Sequence, residues 1–242
     1  MSRRPNLAVV ARRSEPPDSL DYFPTPPWAT RAFGWEMSQR GLLSRQHTIL
    51  EPACGEGHMA AVLQEFIDPT IYASDIFPYG YGEVADFLDG GEKPAVDWIF
   101  SNPPFNQALA FVETALTHPA ARARVGVGML VRTAWLEGGE VSGRYEFFRR
   151  FRPALILQYA GRVPMHKGRW EPKGRSATAY CWVIWLQPDR PLGAWRPTLQ
   201  SGPLFDWIAP DIRRTYARPD DVRRFALPAG APLFDDSEVP YA

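Results

Sequence analysis

The sequence of 242 residues predicts an α/β fold, a mostly parallel sheet with helices on both faces. Three observations lead there. Apolar, β-rich runs alternate with segments of helical periodicity through the first two thirds of the chain. A tight glycine turn, CGEG at residues 54–57, joins one such run to a helical segment. The carboxylates Glu51, Asp75 and Asp86 fall at or just past the ends of successive runs, and the carboxyl ends of strands are where open α/β sheets bind ligands.

In chain order, residues 1–20 carry Arg3, Arg4, Arg12 and Arg13 with three prolines and little apolar periodicity. They read as a flexible basic arm, either a solvated tail or a contact to phosphates. In DYFPTPPWATRAFGWEMSQRG, residues 21–41, Thr25 can cap an amphipathic helix that has proline in its first turn and ends at Gly41. HTILEPA (47–53) is a strand, CGEG a turn and HMAAVLQEF (58–66) a helix. TIYASD (70–75) is a strand, the region of EVADFLD (83–89) a short strand or turn, and VDWIF (96–100) a buried strand. SNPPF (101–105) stops that strand, because proline cannot continue a ladder and its fixed φ stiffens the turn.

QALAFVETALTH (107–118) then reads as a helix, RVGVGMLV (124–131) as a buried strand and GRYEFFRRF (143–151) as a helix. PALILQYA (153–160) and ATAYCWVIWLQ (177–187) are two long strands joined by VPMHKGRWEPKGRS, with no helix between them, which predicts an antiparallel pair at one sheet edge. From Pro188 onward Pro and Gly recur every few residues, so no regular structure is expected, and DDSEVPYA is a loose tail. The expected organisation is an arm over 1–20, one domain over 21–190, and an irregular extension over 191–242 that packs on or near it.

Composition narrows the class. An apolar content of 45% suits one sizeable domain, and 27 basic against 27 acidic residues give no global argument for nucleic acid while leaving room for a local basic face. Only Cys54 and Cys181 are present, no apolar stretch approaches the roughly 20 residues that span a bilayer, and LAVVA is too short for a secretory signal core. A cytoplasmic protein without membrane association is expected. His47, His58, His118 and His166 lack ligand spacing, so no metal site is expected.

The turn EPACGEGHMA places Gly55, Gly57 and Ala60 in the G-x-G-x-x-A spacing of nucleotide-binding βα turns, where glycine lets the backbone approach a ligand. Asp75 follows Gly57 by eighteen residues, where a carboxylate can accept from both hydroxyls of a ribose. A glycine pair beside a surface aspartate, or a non-catalytic nucleotide-binding module, would show the same turn. Neither explains NPPF.

With EPACGEG and NPPF in this order and spacing, the sequence resembles the S-adenosylmethionine-dependent methyltransferases of exocyclic amino groups. EPACGEG is similar to their cofactor motif and Asn102–Phe105 to their (D/N/S)-P-P-(Y/F) catalytic motif. YFPTPP at residues 22–27 resembles the aromatic-x-T-P motif of many DNA adenine methyltransferases. The likeness covers roughly residues 20–187 in organisation and about twenty positions in specific motifs. It implies the Rossmann-like class I methyltransferase fold and S-adenosylmethionine as cofactor. It further implies a cofactor site formed by Tyr22, Thr25, Pro26, Glu51, Ala53, Gly55, Gly57, Asp75, Ile76, Asp86, Phe87 and Asn102, with Asp86 at the adenine ring.

The catalytic turn would comprise Asn102, Pro103, Pro104 and Phe105. Two acceptors, the Asn102 side-chain oxygen and the Pro103 carbonyl, can hold both hydrogens of an amine whose lone pair is otherwise delocalised into its ring. Phe105 would stack on that ring. The resemblance implies adenine in DNA as acceptor. Guanine amines of ribosomal RNA, cytosine amines and a protein glutamine amide are the alternatives.

A paired base must leave its duplex to be modified, so positive charge should line the approach. Candidates are Arg132, Arg162, His166, Lys167, Arg169, Lys173 and Arg175, with Trp170 among them as a wedge or stacking group. Many family members carry a large target-recognition domain. Here the basic loop, residues 133–150 and the segment after 188 are what the chain offers, which predicts a short recognition site, relaxed specificity, or help from a partner. Oligomeric state is not legible.

Overall fold

The computed structural model describes residues 21–121, 123–139, 143–187 and 202–226; the N-terminal arm and the tail lie outside them. Eight strands form one sheet: β1 (Ile49–Glu51), β2 (Tyr72–Asp75), β3 (Glu83–Val84), β4 (Trp98–Ser101), β5 (Gly126–Arg132), β6 (Leu155–Tyr159), β7 (Tyr180–Leu186) and β8 (Leu204–Ile208). Their order is β3-β2-β1-β4-β5-β7-β6-β8. β7 alone runs against its neighbours, inserted antiparallel between β5 and β6; the other pairings are parallel.

Strands buried on both sides read as continuous apolar runs, which is why WIF of β4 and YCWVIWL of β7 carry no polar face. Successive side chains still point to opposite faces. Trp98, Phe100, Trp182 and Ile184 face one layer with α1 (Pro27–Gln39) and α2 (His58–Leu63). Ile99, Val127, Met129, Val183 and Trp185 face the other, with α3 (Ala108–Thr117) and α4 (Arg144–Arg150). Phe33 of α1 stacks on Trp182 at 3.7 Å between centroids, locking the first helix to the middle of the sheet.

Two expectations change. The antiparallel pair forms, but β8 covers its outer side, so β8 is the edge. Within 202–226 the chain is also regular: β8 pairs parallel with β6, and α5 (Ile212–Tyr216) and α6 (Asp221–Phe225) bury Ile212 and Phe225 in the α1 layer. Arg31 of α1, 3% exposed, binds Asp221 at 2.6 Å and Glu65 at 2.8 Å, which fastens this segment down. Among the described residues no helix is long and apolar enough to cross a membrane.

Candidate active site

The carboxyl ends of β1, β2 and β4 bring Glu51, Asp75 and Asn102 to one cavity, also lined by Tyr22, Thr25, Ala53 and Ile76. The glycine turn stands beside it, with Cys54 and His58 at its two ends in the lining. Gly55 and Gly57 take φ of +52° and +80°, which side chains rarely adopt, and a Cβ on either would collide with the ring of Tyr22 or Tyr81 respectively. Asp75 Oδ2 accepts from the Gly55 N–H at 2.8 Å and Oδ1 from the Phe77 N–H at 3.0 Å, so the carboxylate proposed for a ribose also orders the turn beside it. Burial raises the pKa of Asp75. Burial, with Asp75 beside it, raises that of Glu51 well above the usual carboxylate range, and Glu51 Oε2 is buried without a hydrogen-bond partner.

Thr25 does not cap α1. Pro26 is the cap residue and no side chain bonds the first turn. The Thr25 hydroxyl instead accepts from Asn102 Nδ2 at 3.1 Å, and the Phe23 carbonyl accepts from the same nitrogen at 2.7 Å. A carbonyl can only accept, so the amide orientation is fixed: Nδ2 faces the YFPTPP segment. Asn102 Oδ1 is buried and has no hydrogen-bond partner. A buried acceptor left unpaired costs about 1–3 kcal/mol, so a donor brought by water or a ligand would be favoured at Oδ1.

Pro104 also lines the cavity, and its carbonyl accepts from Gln107 to start the turn into α3. Phe105 donates its N–H to Asp21 Oδ2 at 2.6 Å.

Sequence reasoning missed Asp21, Phe23, His58 and Tyr79, all of which line the cavity. His58 had a signal, since it is the first helical residue after the glycine turn. Its Nε2 meets the Phe225 carbonyl at 2.8 Å, its Nδ1 meets the Tyr22 hydroxyl at 3.2 Å, and burial lowers its pKa to about 4. Tyr22 and Tyr79 rings pack at 4.6 Å across the cavity and leave about 70 Å³, room for two or three waters at about 30 Å³ each. Burial pushes the Cys54 thiol up to about 12, which suits a packing role and not a nucleophile.

Asp86 and Phe87 do not reach the cavity. Asp86 is exposed and closes a turn onto the Leu88 N–H, whereas Phe87 is buried against Phe111 of α3.

No protein-family model matches the sequence, and no curated protein matches it. Solved structures are similar in shape. A candidate class I S-adenosylmethionine-dependent methyltransferase from Listeria monocytogenes superposes with a TM-score of 0.54 at 14% identity, covering 78% of this chain and 67% of that one. The chain has the class I methyltransferase fold.

The methyltransferase subunit of a type I restriction-modification system from Streptococcus thermophilus shares this fold, with a TM-score of 0.51 at 13% identity over 69% of this chain. The present chain spans 45% of that subunit's length. A candidate RNA methyltransferase from Pyrococcus horikoshii gives 0.51 at 15% identity, over 72% of this chain and 91% of that one.

On this methyltransferase fold the β6–β7 loop touches two residues that line the cavity: Met165 Sδ is 3.7 Å from Asn102 Nδ2, and Gly168 donates to the Tyr22 carbonyl. Arg162, Arg169, Lys173 and Arg175 are exposed, His166 and Lys167 half-buried, and Arg169 pairs with Glu171. Trp170 departs from expectation. It is 6% exposed and packs in the core of the α1 layer, so it is no wedge. Arg132 lies over Phe105, its guanidinium carbon 4.1 Å from the ring centroid.

Proposed function

We propose that the chain transfers a methyl group from S-adenosylmethionine to the exocyclic amine of adenine in DNA. The observation that carries this reading is the unpaired, buried Oδ1 of Asn102 in a strand-end cavity, held in one orientation by Phe23 and Thr25. The polar groups present suit the cofactor, whose entry would require the Tyr22 and Tyr79 rings to part and widen the 70 Å³ cavity. Glu51 offers an unpartnered oxygen for a polar or cationic group, and Asp75 ends β2 where ribose hydroxyls are accepted. When bound, S-adenosylmethionine supplies an electrophilic methyl group on a sulfonium.

The chain's own residues then do the positioning. Asn102 Oδ1 and the Pro103 carbonyl accept the two amine hydrogens and draw the nitrogen out of conjugation with its ring, so no side chain removes a proton before attack. The two prolines hold this acceptor pair before the base arrives, which reduces the entropy lost on binding. Placement of this kind can supply about 7–11 kcal/mol. Phe105 offers its ring to the base, a contact of roughly 1–3 kcal/mol. Exposed Arg162, Lys173 and Arg175 supply charge toward a phosphate backbone.

The test is transfer of labelled methyl to unmethylated DNA, ribosomal RNA and bulk protein in parallel, with Asn102→Ala as control. Label in DNA adenine that disappears in the variant supports the reading. Label in RNA or protein alone keeps the amine-positioning chemistry and replaces the substrate.

A further inference from the structure

Phe105 is a half-buried ring whose neighbours are Phe23 at 5.1 Å and Tyr180 at 6.1 Å between centroids. Its remaining cover is Arg132, with the guanidinium carbon 4.1 Å from the Phe105 centroid and 5.9 Å from that of Phe23. Arg132 is the last residue of β5, opposite Tyr180 at the start of β7, and is exposed apart from its ring contacts and a side-chain hydrogen bond with Tyr180.

A guanidinium is planar, delocalised and weakly hydrated, so it resembles a nucleobase in shape and stacking while carrying a charge. A ring face holds one planar group at a time. The base and Arg132 therefore compete for Phe105, and a displaced arginine at the mouth of a nucleic-acid cleft meets phosphate.

We propose that Arg132 is a positioning residue that occupies the base seat on Phe105 in the free enzyme, yields it to the incoming adenine, and then holds a phosphate beside the extruded nucleotide. This rests on the reading that Phe105 stacks on the target ring. Two consequences follow with opposite signs. Removing Arg132 empties the seat, which favours a base that brings no phosphate. The same change removes a cation, which disfavours a polynucleotide.

The test compares full-length wild type, Arg132→Ala and Arg132→Lys with two probes: 2′-deoxyadenosine, followed by ligand-observed NMR, and a random-sequence DNA duplex, followed by anisotropy from low to moderate salt. Calorimetry with S-adenosylmethionine serves as the folding control and should be the same for all three. Arg132→Ala should bind the nucleoside more tightly, by about two- to fivefold. It should bind the duplex more weakly, with a salt slope smaller by about one. Arg132→Lys should restore the slope. Parallel weakening of both probes would mark Arg132 as merely structural, and no change in either would mark it as solvated; each overturns the proposal. Wild type that binds S-adenosylmethionine but does not methylate DNA overturns the functional reading itself, and this proposal with it.

Discussion

The side-chain nitrogen of Asn102 lies 2.7 Å from the backbone carbonyl of Phe23, across 79 residues of chain. This contact ties the NPPF turn to the segment before α1 and, on the proposed function, decides which atom of the amide meets the substrate. Asn102→Ala should leave S-adenosylmethionine affinity nearly intact and lower turnover on the order of 100-fold or more, because it removes a preorganised partner of the reacting group. Asn102→Asp should also lose activity, since a carboxylate oxygen would face the Phe23 carbonyl where a donor is required. Single-turnover kinetics beside calorimetric titration separate the two effects.

On the proposed function Asp75 has two duties, so its removal should be felt twice. Asp75→Ala takes away an acceptor for the cofactor and frees the Gly55 and Phe77 N–H groups that it now binds. Hydrogen bonds to charged groups are worth about 1.5–3 kcal/mol, which translates into a cofactor Kd weaker by roughly 10- to 100-fold. Equal affinity in a calorimetric titration would remove Asp75 from the site.

His58 gives the protein a pH dependence of definite sign. Its folded pKa of about 4 lies below the ordinary 6.5, so between those values the unfolded chain binds the extra proton and stability falls as pH falls. The full effect, lost between pH 7 and 4, is about 3 kcal/mol. Burial of Glu51 and Asp75 raises their values and acts in the opposite direction, which makes the difference between wild type and His58→Gln the useful quantity. Urea melts across pH should show that difference shrinking toward pH 4.

The buried pair of Arg31 and Asp221 should be costly to break from one side. Both are nearly inaccessible, and Arg31 also donates to the Tyr216 carbonyl. Asp221→Ala leaves a buried guanidinium with less compensation, an expected loss of about 3–5 kcal/mol. Denaturant unfolding measures it. Since Phe225 belongs to the same segment and bonds His58, cofactor affinity should weaken in parallel.

The glycine turn and the NPPF turn were legible because each is written in residues with few conformational choices: glycines at positive φ after a short strand, and prolines that end a ladder. The buried strands were legible from unbroken apolar runs. β8 was not, because LFDWI is short, stands between Pro203 and Pro210, and finds its partner β6 some fifty residues earlier. α5 and α6 span five residues each, too few to show periodicity. Trp170, set among charges, read as a surface ring and is core. Thr25 has the residue type of a helix cap, but the nearer claim on its hydroxyl is Asn102. Local preference yields where a tertiary partner is available.

The reversed direction of β7 has an evolutionary side. Because β6 runs with the sheet and β7 against it, the connection between them emerges at the same end as the catalytic turn, and Met165 and Gly168 already touch the site from it. Residues inserted among its exposed positions, such as Arg162, Lys173 and Arg175, would lengthen the connection without shifting any strand register. On the proposed function, a chain of this fold can change how it chooses a target through one loop, while the site beneath it keeps its geometry.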